Sequence, residues 1–474
     1  MSSSGTTVTN FGGNVRFEPA AYCVPLDEAG VLELLERHRG QKIRAIGSLH
    51  SWSDAPVVEG VLFNLRNLNQ VQVERRNGGY WATIGGGCQI KRVLEVLDRH
   101  ELTLPSLGLS SEQTIAGATA TGTHGSGKNS LSHYLAEVRV ATYDPESGKP
   151  VIRTIQDGPE LRAARTSLGL LGIVVSVGLW CRPQYMIEEE FKLYDTLDAV
   201  IAAEADFPLQ QFYVMPWLWK YLVQHRREVD AARSRSAWLY RQYWFWSIDI
   251  GMHLVVKFLA TFTNFVKFYF RHIGIRAAIR GWRVVDKSQA MLIMEHELFR
   301  HIEIELFVQR AQLTEALAFT RDVIECFSGN VEDVDATTRN SLQQIGMLKE
   351  LLSAAGCYTH HYVICVRRIL ADDTLISMAS GPSEDWYAIS LISYEHPTKR
   401  AGFFRFAKFM AQSMARLFSA RPHWGKYCPL TAGELARLYP HLPEFREICQ
   451  KHDPPGTFRN HWTEQTLFGA APSK

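Results

Sequence analysis

The chain has 474 residues and a formal net charge of +2, and 46% of it is hydrophobic, with 12 Trp, 17 Tyr and 24 Phe. A length well above the ~100–200 residues of an ordinary domain implies two domains or one elaborated one, and the apolar content excludes a disordered chain. So balanced a charge builds no field for a polyanion, and nucleic acid is not an expected partner.

The opening stretch MSSSGTTVTNFGGN lacks the basic and then apolar layout of a secretion signal, so a cytoplasmic location is expected. From 15 to about 183, helix-like and strand-like stretches alternate. DEAGVLELLERHRG predicts a helix with Asp27 as N-cap and Gly40 as the stop. KIRAIG, VLFNL and YWATIG predict short strands, IKRVLEVLDRHE a helix, and AEVRVATYD and GIVVSVGLW further strands. The unit is α+β, with glycine clusters at strand ends.

The texture changes near 184. An aromatic run, FYVMPWLWKYL, is followed by an unusual segment at 238–275. There Leu254, Val255, Phe258, Leu259, Phe262, Phe265, Val266, Tyr269 and Phe270 recur at helical spacing and predict one apolar stripe. His253, Lys257, Thr261, Asn264, Lys267 and Arg271 face the other way. Such a helix either packs on the core or lies in a membrane interface with its cations at the headgroups. Lys257 and Lys267 interrupt the run, so it falls short of the ~18 uncharged apolar residues that a span requires. Further on, HIEIELFV, YVICVRRI and YAISLISY predict strands, and QLTEALAFTRDVIECF and AGFFRFAKFMAQSMARLF predict helices. Cys23, Cys88, Cys181, Cys326, Cys357, Cys365, Cys428 and Cys449 form no CxxC pair and read as reduced, mostly buried thiols, so no metal is expected.

Four motifs carry chemistry. Ala45-Ile46-Gly47-Ser48-Leu49-His50-Ser51-Trp52-Ser53 follows a strand and consists largely of small residues, which let backbone N–H groups approach a pyrophosphate. Ile84-Gly85-Gly86-Gly87-Cys88 reads as a tight strand-to-helix turn. The run from Ser111 to Gly127, through Thr114, Gly117, Thr121, Gly122, Thr123 and His124, is almost wholly small or hydroxylic. It cannot build a core and suits a backbone wrapped around a diphosphate and a ring. Its glycines have the wrong spacing for a dinucleotide fingerprint, which disfavours an NAD-type dehydrogenase. Near the C-terminus, Arg421-Pro422-His423-Trp424-Gly425-Lys426 reads as an electropositive turn for an anionic group.

In the order GSLHS, LPSLGLSSEQTIAGATATGTHGSG, TSLGLLGIVVSV, RPHWGK, and with the terminal stretch HDPPGTFRN, the sequence resembles FAD-linked oxidases of the vanillyl-alcohol-oxidase class, near the aldonolactone and alditol oxidases. The resemblance covers almost the whole chain. It implies FAD bonded covalently through His50. It also implies that Ala45, Ile46, Gly47, Ser48, Leu49, Ser51, Thr114, Gly117, Thr121, Gly122, Thr123 and His124 line the cofactor, with Ile173 and Val174 near its adenine. By the same resemblance Lys426 lies at the flavin pyrimidine edge, where a cation stabilises developing negative charge. The aromatic segment at 238–275 resembles its counterpart in membrane-associated members, which favours the interfacial reading.

The substrate half departs from that pattern. Arg367 matches a family arginine, but Cys365 stands where the family has an acidic residue, and a thiol is a poor acceptor. Ser390 stands where relatives carry His or Asn, and Leu109 where alditol oxidase has a serine. Glu303 or Glu305 is a candidate to supply a carboxylate from a neighbouring strand.

The expected fold is a bipartite α+β flavoprotein of the PCMH type, with 1–183 completed by 421–474 as the FAD-binding domain and 184–420 as the substrate domain. The expected reaction is oxidation of a CH–OH group of a sugar lactone or polyol-like alcohol, with hydride passing to flavin N5 and O2 as acceptor, giving H2O2. Arg367, Lys426, His423, Cys365 and Ser390 are the expected catalytic set. Three alternatives stand beside this: a membrane-associated dehydrogenase serving a quinone or carrier, an oxidase of a lipid-linked or specialised alcohol, and a flavin-binding protein with a decayed substrate site. The expected location is cytoplasmic or peripheral on a membrane.

Overall fold

The computed structural model describes residues 2, 3, 5–259, 262–276, 278–294, 299–382 and 384–469. The first half builds two small sheets. In one, Ala21–Cys23 and Ile43–Ile46 flank Val61–Asn64 in parallel, with Ser2–Ser3 added at the edge. In the other, Pro150–Ile155, Leu135–Tyr143, Ile173–Pro183, Gly79–Gly85 and Val71–Arg76 run antiparallel in that order, and Leu102–Thr103 joins the end of Ile173–Pro183.

The local rules hold where they are strongest. Helix Glu28–Arg37 starts where the Asp27 side chain accepts the Gly30 N–H, a cap that contributes about 1 kcal/mol. Its Val31, Leu34 and Leu35 are buried, and full burial of such side chains is worth roughly 1.5–3 kcal/mol each. Helices Ile90–Asp98, Leu313–Phe327 and Ala401–Phe418 fall where the spacing predicts them, the last ending on Ser419 in the left-handed region.

The second half is built on one antiparallel sheet of eight strands. Their order is Val284–Lys287, Met186–Tyr194, Lys220–Val229, Gln211–Met215, Ile364–Ile369, Trp386–Ser393, Ile302–Gln309, Arg421–Pro422. Helices Leu313–Phe327 and Ala401–Phe418 pack together against it. Arg421–Pro422 pairs with Leu306 and Phe307, so the tail leaves this sheet before it returns to the first half. There the Ile43 N–H donates to Thr457 O, Arg44 Nη1 to Phe458 O, and Asn460 Nδ2 to the carbonyls of Asp54, Ala55 and Val57.

The segment 238–275 corrects the single-stripe expectation. It is helical as Ala237–Trp244, widens into a π-helical stretch Phe245–Met252, continues as His253–Leu259, and restarts as Thr263–His272. Val256, Val266, Tyr269 and Phe270 turn inward, and so does His253, which was placed on the outer face. Leu254, Phe258, Phe262 and Phe265, expected on one apolar stripe with the inward residues, are exposed, as are Trp238, Trp246 and Phe268. A register that slips at the wide turn and again before Thr263 rotates each piece separately, so no single 3.6-residue stripe survives. Thr261 and the side chain of Leu259 lie outside the described residues. No helix among the described residues is long and apolar enough to cross a membrane.

Candidate active site

A cavity of about 800 Å³ runs from the small-residue loops of the first half to the exposed face of the large sheet. At the first end its wall comprises Ala45 to Ser51, Thr114, Gly117, Thr121, Thr123, Ile173 and Val174. Close packing explains why these loops are built from small residues. A Cβ on Gly47 would lie 1.9 Å from Thr114 Oγ1, and one on Gly87 would lie 1.8 Å from Leu65 O. The first and third motifs therefore touch only because Gly47 has no side chain. Gly122 is the exception among the expected cofactor residues. It is absent from the wall and takes φ +76° against Met378, serving the turn instead.

His50 lies on the wall, its ring stacked 4.9 Å from Phe11. Its Nδ1 is 3.1 Å from Ser48 O. A carbonyl only accepts, so Nδ1 carries the proton and the lone pair falls on Nε2. Leu49, just before it, is held at φ 56°, a region that a leucine enters only when its surroundings compel it. The Trp52 N–H donates to Gly425 O and its Nε1 to His301 O, which ties the His50 loop to the turn carrying Lys426. Hydroxyls and backbone at this end, with a cation at the far side, form a donor set that fits a flavin dinucleotide.

The other end is organised by strand register. Tyr213 pairs with Cys365, Cys365 with Ser390, and Ser390 with Glu305. Directly paired residues project from the same face of a sheet, so these four form one row across four strands. Two residues along, Gln211 and Arg367 make a second row. The His423 N–H donates to Glu305 O at the sheet edge and brings the RPHWGK turn against the row.

Arg367, Lys426, His423, Cys365 and His124 all line the cavity. Ser390, expected in the catalytic set, does not reach the wall. Its hydroxyl donates to Glu305 Oε1 at 2.8 Å. Glu305 is 1% exposed, with His124 Nε2 at 3.5 Å and Arg367 Nη1 at 3.7 Å from the same oxygen. Burial opposes its ionisation, yet His124 and Lys426 hold its carboxyl well below the usual range. Burial pushes His423 down to about 3, and its Nδ1 accepts the Gly425 N–H at 2.9 Å, so its proton sits on Nε2. Burial pushes the Cys365 thiol up, and it stays protonated. Lys426 forms a short ion pair with Glu303 and stands over the Trp52 ring, 4.2 Å from its centroid. Its charge is therefore already shared with a carboxylate, a pairing that its motif did not reveal.

Sequence reasoning missed the rest of the wall. Phe191, Met215, Leu222, Trp244, Phe245, Met252, Ala278, Met291, Leu292 and Ile293 continue the cavity as an apolar branch toward the segment at 238–275. Five of the polar side chains there pair among themselves. Arg226 donates to Glu189 at 2.6 Å, Tyr240 donates to the other Glu189 oxygen at 2.7 Å, and Gln211 donates to Gln224 at 2.6 Å. These residues come from six separate stretches of chain, and no local spacing links them.

The loops and the sheet face together define a flavin-dependent oxidoreductase of two-part α+β architecture. The chain belongs to the D-arabinono-1,4-lactone oxidase family, whose model matches residues 185–466, while an FAD binding domain matches residues 19–146. It is 52% identical to a long-chain alcohol oxidase from an uncultured marine euryarchaeote over 98% of both chains. It is 24% identical to L-gulonolactone oxidase from Mus musculus over 98% of this chain and 99% of that one. Among solved structures, cholesterol oxidase from Brevibacterium sterolicum shares the fold with a TM-score of 0.73 at 16% identity, covering 98% of this chain and 97% of that one. The protein is therefore an FAD-dependent oxidoreductase, as the sequence resemblance implies.

Proposed function

We propose that the protein oxidises long-chain primary alcohols to aldehydes, with FAD bonded to His50 and O2 as the electron acceptor, giving H2O2. The observation that carries this reading is the apolar branch from Arg367 and Cys365 to Phe245 and Met252. A sugar lactone brings several hydroxyls into a desolvated site, and each needs a partner there. Arg226, Tyr240 and Glu189 pair among themselves, as do Gln211 and Gln224, whereas an alkyl chain asks nothing of them. The similarity to a long-chain alcohol oxidase supports the same substrate class.

In this reading 1–183 with 421–474 holds the cofactor and 184–420 holds the substrate. FAD, when bound, would supply an acceptor for the electron pair of the carbinol C–H bond and a route for those electrons to oxygen. The chain's own residues do the rest. Arg367, flanked by Cys365 and Glu305, stays a cation beside the reacting oxygen. Lys426 supplies positive charge at the flavin, tempered by Glu303. Ser390 holds Glu305 in place. The wall of the branch excludes water from the carbinol.

The alkyl substrate is poorly soluble, and the branch is walled by the segment that carries the exposed aromatic residues. Trp238 lines the cavity and is exposed, and Trp246 and Phe258 of the same segment are exposed as well, Phe258 by 70%. Arg271, Arg276, Arg280 and Arg283 follow close by in the chain. Apolar and aromatic side chains beside cations are the composition of an interfacial anchor, so we assign peripheral docking on a lipid surface to 238–275.

The test is peroxide release from the purified protein with primary alcohols from butanol to hexadecanol, beside aldonolactones and alditols. Rates that rise with chain length, with none from lactones, support the proposal. Turnover of lactones in preference to alcohols sinks it. Fast dye reduction without oxygen consumption replaces O2 with another acceptor.

A further inference from the structure

Oxidising an alcohol removes two things from it, the electron pair of a C–H bond and the proton of the O–H group. The cofactor accounts for the first, and a group on the cavity wall must account for the second. The candidates can be taken in turn. Arg367 and Lys426 are cations with no lone pair to offer. His423 uses Nδ1 to accept the Gly425 N–H, so its other nitrogen donates. Cys365 is a protonated thiol. Glu303 is committed to Lys426. His124 spends Nδ1 on Gly125 O at 3.0 Å and turns Nε2 toward Glu305.

Glu305 remains. Its contacts with Ser390, His124 and Arg367 all fall on Oε1, while the side chain lines the cavity. It is also not alone there: one ligand atom from each of His124, Glu305 and His423 lie within 4.8 Å of one another, so three buried polar groups converge on one point. Register places Glu305 two strands from Cys365 in the same row, where no carboxylate occupies the Cys365 position.

We propose that Glu305 is the catalytic acceptor of the substrate hydroxyl: Oε2 receives its hydrogen bond and then its proton. As the carbinol C–H bond breaks and its electron pair leaves for the cofactor, the O–H bond breaks toward Glu305, and the aldehyde C=O forms. A carboxylate held in its charged form by surrounding cations is a weak base, but it suffices here. The oxygen of an alcohol that is losing hydride is becoming a carbonyl oxygen, and its proton becomes strongly acidic. Anchoring through Oε1 fixes the direction of Oε2, which is the positional part of general base catalysis. The inference rests on alcohol oxidation and is independent of chain length.

The test uses the flavin-loaded enzyme and an alcohol that the native protein turns over. Glu305→Gln keeps an oxygen for Ser390 and removes the charge. Flavin content is expected to stay as in the native enzyme, while kcat falls about a hundredfold or more. A second measurement needs no turnover. A long-chain tertiary alcohol has no carbinol hydrogen to lose, and it should perturb the flavin spectrum of the native enzyme with an affinity about tenfold higher than in Glu305→Gln. A second variant covers a failure of Glu305→Gln to fold: Glu305→Ala should regain rate when formate is added, which a merely structural role does not provide. Unchanged kcat and unchanged tertiary-alcohol affinity in Glu305→Gln overturn the assignment, and so does indifference of Glu305→Ala to formate. Because each is read on a substrate already oxidised by the native protein, none of these results bears on which alcohol that is.

Discussion

At the scale of single residues, the site depends on which nitrogen or oxygen a side chain leaves available. His50 is the clearest case. Nδ1 lies 3.1 Å from Ser48 O, which places the proton on Nδ1, and the proposed covalent link to the flavin would then form through Nε2. After acid denaturation, flavin is expected in the protein pellet of the native enzyme and in the supernatant for His50→Ala. Flavin released by the native protein would remove the covalent link. His360 and His361 make a different prediction. Burial pushes them down to about 3 and about 4, from 6.5. His361 donates through Nδ1 to Thr359 O and accepts the Tyr394 N–H on Nε2, so protonation breaks the second bond. The unfolded chain then binds more protons than the folded one between those values and 6.5. Stability is fully present above 6.5 and is lost as pH falls toward 4, by about 1.4 kcal/mol per pH unit for each histidine. Urea midpoints measured from pH 7 to pH 5 should fall, and His361→Gln should flatten the slope.

At the scale of elements, register decides the chemistry. Arg367, Cys365 and Glu305 are all legible as residues on predicted strands, and the carboxylate was already a candidate. Its selection over Glu303 was not legible, because both alternate onto the same face of one strand. Only the pairing of Ile302–Gln309 with Trp386–Ser393 sets Glu305 beside Ser390, and only the turn from Arg421 sets Lys426 on Glu303. The segment at 238–275 is the opposite case. Its amphipathic composition was legible, but its orientation was not, since the stripe assumed one uninterrupted helix. The piecewise helix predicts an outer face of Trp246, Phe258 and Phe262. Replacing these three by serine should abolish co-flotation with anionic vesicles while leaving oxidation of a short, soluble alcohol near the native rate. Unchanged flotation would remove the interfacial role.

At the scale of the whole molecule, the cavity exists because two halves close on each other. The tail holds them. Arg44 is buried without a carboxylate and donates to Ala55, Leu168 and Phe458 carbonyls, so strand Ile43–Ile46, two loops and the C-terminal stretch meet at one guanidinium. Burial lowers it to about 10, which still leaves it charged at neutral pH. The alkyl branch sets a quantitative expectation for the substrate series. Each methylene that enters it contributes about 0.8 kcal/mol, so kcat/KM should rise about fourfold per carbon until the branch is full. A flat series would place the chain outside the protein.

The cofactor half was written in the sequence. Loops made of glycine, serine and threonine in a fixed order offer backbone and hydroxyl groups, so the residues that wall this end of the cavity are largely neighbours along the chain. Sequence also marked the second half as strands and showed that Cys365 lacks a carboxylate. The tertiary structure alone decided which carboxylate shares the row of Cys365, which residues wall the apolar branch, and that Ser390 bonds to Glu305. Those contacts join strands and helices far apart in the chain, and their register is set by pairing and packing, which no local spacing encodes.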